Sequence, residues 1–125
     1  MNATRTMSMA ALLFAIGVII GALGSHALTN ILTAHQLASL GTAVEYQLFN
    51  ALGLLVVGLL MRVLPAARLQ QIAWALLLGI IFFSGGIYVM LAGAPKFLGY
   101  ITPLGGVMLI LAWLALAIEL WRSGR

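Results

Sequence analysis

The chain has 125 residues, 64% of them hydrophobic, and only six basic and two acidic side chains, with a mean hydropathy of +1.18. Soluble domains hold roughly a quarter of their residues as charges, so this composition reads as a membrane protein. The net charge of +4 comes from basic residues scattered singly at the ends of apolar runs, which marks membrane flanks and not a nucleic-acid surface, and the lack of cysteine excludes disulfide frameworks, thiol catalysis and cysteine-ligated clusters.

Four stretches reach the roughly 20 apolar residues that a helix needs to cross a bilayer core. The first covers about residues 7–28. MNATRTMSMAALLFAIGVIIGALGSHAL also has the layout of a secretory signal, with Arg5 as its basic region and Ser25-His26-Ala27 as a small-x-small site, but its apolar run exceeds a usual signal core, so a retained helix is expected. Gly17, Gly21 and Ser25 recur every four residues. In lipid no hydrophobic force drives helices together, so such a stripe serves close backbone approach, within one copy or between copies. His26 lies on the side opposite Gly17 and addresses another neighbour.

The second span covers about 42–64, before Pro65. Thr42-Ala-Val-Glu45 has the spacing of a capping box, which leaves Glu45 three readings: a helix cap, a partner of His26, or a carrier of protons or cations. Tyr46 and Asn50 are four apart and expected to reach one partner helix together. Ser84 and Tyr88 share that spacing in the third span, about 69–92, where Gly85-Gly86 is a packing pair. The fourth, about 103–121, opens at Pro103 with Thr102 as its cap, carries the packing pair Gly105-Gly106, and ends with Glu119 placed for a local ion pair with Arg122.

Arg5, Arg62, Arg68, Arg122 and Arg125 fall on one side of this layout and Lys96 on the other, so both termini are expected in the cytoplasm. Trp74 and Trp121 then lie near the cytoplasmic interface and Tyr46, Tyr88 and Tyr100 toward the outer one, while Trp113 is expected between helices. Short connections favour antiparallel neighbours, hence a single-domain, all-α, integral membrane four-helix bundle. In that bundle His26, Glu45, Tyr46, Asn50, Ser84 and Tyr88 gather in the outer half as a polar layer, the candidate binding or structural site. His26 reads as an interhelical hydrogen-bond partner, against a relay group or metal ligand. His35 falls in an outer connection. Two unrelated histidines make no metal pattern, no phosphate loop, nucleophile elbow or paired carboxylate appears, and neither cofactor nor enzymatic activity is expected.

The stretches GALGSHAL (21–28), YQLFNALGLL (46–55), FFSGGIYVM (82–90) and ITPLGGVMLILAW (101–113) together resemble the YgdD-like family of small bacterial inner-membrane proteins, domain of unknown function 423, which is similar to the transmembrane protein 256 family. The resemblance implies a four-helix, multi-pass protein of the bacterial inner membrane and no particular activity. Where that family usually shows histidine after Y-Q-x-(F/Y), this chain has Asn50, which cannot titrate, and this favours a structural polar layer. The expected role is an accessory, assembly or lipid- or protein-binding subunit, with membrane lipids, a membrane protein or further copies of itself as partners. The alternative is a small homo-oligomeric transporter or channel using the outer polar layer.

Overall fold

Two of the helices begin where a side chain satisfies the first turn, and a proline precedes a third. In the computed structural model, which describes residues 1–124, Asn2 Oδ1 accepts from the Arg5 N–H at 2.8 Å and opens α1 (Ala3–Ser25). A capping box opens α2 (Ala34–Leu60): the Thr33 hydroxyl accepts from the Gln36 N–H at 3.1 Å, and Gln36 Oε1 accepts from the Thr33 N–H at 2.9 Å.

The start expected at Thr42 is therefore corrected. Thr42 lies within α2, donating its hydroxyl to the Ala38 carbonyl at 3.2 Å, and Glu45 lies eleven residues beyond Ala34, so neither caps. Hydropathy places the polar turns around His35, Gln36 and Ser39 in a loop. A capped helix can instead project past the hydrocarbon: the 27 residues of α2 span about 40 Å, against the roughly 30 Å of a bilayer core.

The other ends follow local chemistry too. α1 stops at Ser25 because His26 leaves helical geometry (φ −123, ψ −80), and a 3-10 turn over Ala27–Asn30 follows. The Thr29 hydroxyl donates to the His26 carbonyl at 2.8 Å and fastens that turn. Pro65 precedes α3 (Ala66–Leu91), after a tight turn in which the Val63 N–H reaches the Leu60 carbonyl at 3.1 Å. α3 ends in a Schellman motif at Gly93, whose φ of +95 suits glycine, with the Ala94 N–H on the Val89 carbonyl at 3.0 Å and the Gly93 N–H on the Met90 carbonyl at 3.2 Å. A 3-10 turn, Lys96–Tyr100, then runs directly into α4 (Ile101–Ser123). Thr102 is thus inside the helix and not its cap, while Pro103 sits in the first turn, where a missing N–H costs little.

All four helices are long and apolar enough to cross a membrane. The main contacts follow chain order, α1 on α2, α2 on α3 and α3 on α4. The result is an open bundle, with α2 and α3 central and α1 and α4 on its flanks. The core sits between the central pair, at Leu54, Val57, Leu69, Ala73 and Leu76, and takes Ala10 from α1 and Leu109, Ala112 and Leu116 from α4.

Small residues set the spacing. A Cβ built on Gly17 would meet Leu48 Cδ2 at 2.8 Å, and one on Gly21 would meet Val44 at 3.2 Å, so the predicted α1 stripe faces α2. Gly24 continues it, with Leu40 at 2.7 Å, whereas Ser25 is exposed. Between α3 and α4, Gly86 lies against Thr102, Gly105 against the Phe82–Phe83 backbone and Gly106 against the Phe83 ring. Gly85 differs from its expected role, since a Cβ there would meet nothing. Gly53, Gly58 and Gly79 take close contact from Trp113, Met7 and Leu109 respectively.

Candidate functional site: a polar ladder on the central helix

Ala43, Gln47, Asn50, Leu54 and Val57 recur at helical spacing along the buried face of α2, so the amides of Gln47 and Asn50 are carried inside the bundle. Gln47 is 3% exposed and Asn50 5%. Amides this deep need partners, because an unmet hydrogen-bonding group away from water costs about 1–3 kcal/mol.

Partners come from all three other helices. Gln47 Nε2 donates to the Leu13 carbonyl of α1 at 2.7 Å, and Gln47 Oε1 accepts from the Tyr88 hydroxyl of α3 at 2.6 Å. Ser84 donates to the Ala43 carbonyl at 2.7 Å, a second tie between α3 and α2. Asn50 Oδ1 accepts from Trp113 Nε1 of α4 at 2.7 Å, while Asn50 Nδ2 returns to the Tyr46 carbonyl of its own helix at 2.8 Å. Three consecutive rungs on one face of α2 thus bind all three other helices. Among the described residues, every buried side-chain polar atom has a partner.

This geometry redraws the expected layer. Ser84, Tyr88 and Asn50 belong to it, but at the middle of α2 and not at its N-terminal end, because α2 begins earlier than hydropathy places it. Gln47 is the midpoint of the helix, about 20 Å from either end. Tyr46 and Asn50 do not reach one helix together: Asn50 meets α4, whereas the Tyr46 ring leans on Phe83 of α3, with centroids 5.0 Å apart and planes tilted by 57°.

His26 and Glu45 stand apart from the ladder. Both are exposed, and they do not pair; among the described residues the ion pair is Arg68 with Glu119 at 3.4 Å. Glu119 therefore reaches across to α3 and not along α4 to Arg122, as its spacing implied. No three of His, Asp and Glu come together among the described residues. Trp113 takes its expected place between helices and adds a hydrogen bond that spacing did not signal.

Beside the ladder, an apolar groove of about 610 Å³ opens between α2 and α4, lined by Tyr46, Phe49, Phe83, Gly106, Trp113 and Leu114 among others. The residue missed from sequence is Gln47. Its signal was available: an amide within the apolar run, four residues after Ala43 and three before Asn50.

Residues 20–106 match the family described as "Protein of unknown function (DUF423)". A "UPF0382 membrane protein SSP2132" of Staphylococcus saprophyticus is 39% identical over 98 residues, covering 78% of this chain and 81% of the relative. A "UPF0382 membrane protein" of Haemophilus influenzae and "UPF0382 membrane protein YwdK" of Bacillus subtilis are each 36% identical over 107 residues, covering 85% of both chains. No solved structure matches. The matched segment carries every rung of the ladder on α2 and α3, and with these relatives the chain belongs to the DUF423 family of membrane proteins.

Proposed function

We propose that the protein is a non-enzymatic, multi-pass component of the bacterial inner membrane that binds lipid or another membrane protein as an accessory or assembly subunit. The observation that carries this reading is the closed ladder: the buried polar groups that would otherwise serve chemistry or conduction are consumed in holding helices together. The flanks supply binding surface. Leu12, Val18, Ile19 and Leu23 on α1, with Ile110, Leu111, Leu114 and Ile118 on α4, are exposed, and exposed apolar faces of this extent meet lipid or a partner.

Both termini face the cytoplasm in this reading. Arg5, Arg62, Arg68 and Arg122 lie at one end of the helices and Lys96 at the other, and the positive end is the cytoplasmic one. Arg125, expected with the first group, falls outside the described residues.

Affinity purification in mild detergent tests the proposal, with identification of co-purifying lipids and proteins. A reproducible lipid or membrane-protein companion is expected. Solute flux by the purified protein alone in liposomes, lost in Glu45→Gln or His26→Ala, would refute it and establish the transporter alternative.

A further inference from the structure

The cationic end of the bundle holds a second groove, of about 530 Å³, between α3 and α4. Arg68 and Gln71 of α3 and Arg122 of α4 stand at its mouth, and Ala75, Leu111 and Ala115 line its inner part. From Arg68 to Ala75 is seven residues, so the groove runs about 10 Å from the charges toward the middle of the bundle.

We infer that this groove is a binding site for one anionic phospholipid, with the phosphate held by Arg68 and Arg122 and an acyl chain lying along Ala75 and Ala115. The inference rests on the lipid-binding half of the proposed function and names its ligand class and place.

Three features fit that ligand in particular. Charge comes first: the two guanidiniums flank one opening, and basic pockets between membrane helices attract anionic headgroups, each cation contributing about 1 kcal/mol, or about fivefold in affinity. The guanidiniums are also available. The Arg122 guanidinium makes no hydrogen bond among the described residues, and Arg68, its side chain 59% exposed, makes one long contact to Glu119, a surface pair of little worth. Shape is the third feature, since Ala75 on one wall and Ala112 and Ala115 on the other leave a slot where larger side chains would fill it. Trp121, 74% exposed beside Arg122, suits the headgroup level of the same interface.

Glu119 is the acid within this site and opposes the phosphate. Its pairing with Arg68 makes it a competitor for the headgroup, which fixes the sign of one variant: Glu119→Gln strengthens binding.

Native mass spectrometry of the full chain in mild detergent, titrated with phosphatidylglycerol or phosphatidylcholine, provides the test. Wild type is expected to retain phosphatidylglycerol selectively. Retention falls by an order of magnitude or more in Arg68→Gln/Arg122→Gln, rises in Glu119→Gln, falls in Ala115→Trp, and holds in Arg5→Gln/Arg62→Gln at the same end. Loss in Ala115→Trp ties binding to the acyl chain, whereas undiminished binding there assigns the arginines to a phosphate alone and overturns the inference. Equal retention of the two lipids, or equal loss in the Arg5/Arg62 control, overturns it as well. If the site variants bind phosphatidylglycerol as wild type does while a lipid or protein still co-purifies from membranes, only this site is wrong; if wild type co-purifies with neither, the accessory reading fails with it.

Discussion

Gln47→Leu is the most informative single perturbation, because it keeps side-chain volume roughly constant while removing two interhelical bonds. It strips the Leu13 carbonyl of a 2.7 Å donor and the Tyr88 hydroxyl of a 2.6 Å acceptor. Interhelical hydrogen bonds in membranes average about 0.6 kcal/mol and reach about 1.7. The Leu13 carbonyl keeps its place in the α1 backbone ladder and loses little more, but the Tyr88 hydroxyl is left half-buried without a partner, which adds about 1 kcal/mol. A loss of about 2–3 kcal/mol is therefore expected. Tyr88→Phe alone loses the same bond and leaves the buried Gln47 Oε1 without a donor, about 2 kcal/mol; the double variant loses that bond once and leaves no orphan, so the pair couples by about 2 kcal/mol or more and costs less than its parts. Reversible unfolding in mixed micelles, followed by near-ultraviolet circular dichroism over the four variants of the cycle, measures this directly. If Gln47→Leu matches wild type within about 0.5 kcal/mol, or the two substitutions simply add, Gln47 does not join α1 to α3 and the ladder is not what holds the bundle.

Three further outcomes follow from the same structure. Gly105→Ala drives a methyl into the Phe82–Phe83 backbone and lowers stability by about 2 kcal/mol or more, whereas Gly85→Ala meets open space and raises it by up to about 1 kcal/mol in the same unfolding assay. Thr33→Ala removes the α2 capping box and costs about 1 kcal/mol; Thr42→Ala leaves stability unchanged, the reverse of what a helix starting at Thr42 requires. Because the chain lacks cysteine, Lys96→Cys and Arg62→Cys each introduce a unique thiol; a membrane-impermeant maleimide is expected to label the first and not the second in intact cells, and the opposite pattern inverts the proposed orientation.

How far the fold was legible depended on what lipid makes visible. Length and hydropathy locate four spans, because crossing a hydrocarbon core demands about 20 apolar residues whatever the packing. They say little about helix ends that project beyond it. The α2 start was written as Thr33-Ala-His-Gln36, a box with glutamine at its fourth position, yet Thr42-Ala-Val-Glu45 has the same form and lies nearer the apolar run. Choosing between the two requires knowing whether His35, Gln36 and Ser39 are helical, and hydropathy is silent there. The inward and outward faces of α1 were equally hard to separate. Its exposed Leu12, Ile19 and Leu23 are as apolar as its core, so only the small residues Gly17 and Gly21 betray the packed side.

The candidate site shows the complementary bias. Ionisable residues are expensive inside a membrane, and His26 and Glu45 stand out in the sequence on that ground. Both are exposed on the surface of the bundle, His26 at the end of α1, where an imidazole can turn toward the interface, and Glu45 eleven residues into α2. The polar residues actually buried are uncharged: Thr6, Gln47, Asn50 and Ser84. An amide carries a donor and an acceptor on one rigid plane, so Gln47 can satisfy a carbonyl on one helix and a hydroxyl on another without moving a proton. That is what a central helix needs when its neighbours approach from both sides. In this chain the costliest polar residues therefore mark where the bundle meets its surroundings, and the cheaper amides mark how it holds together.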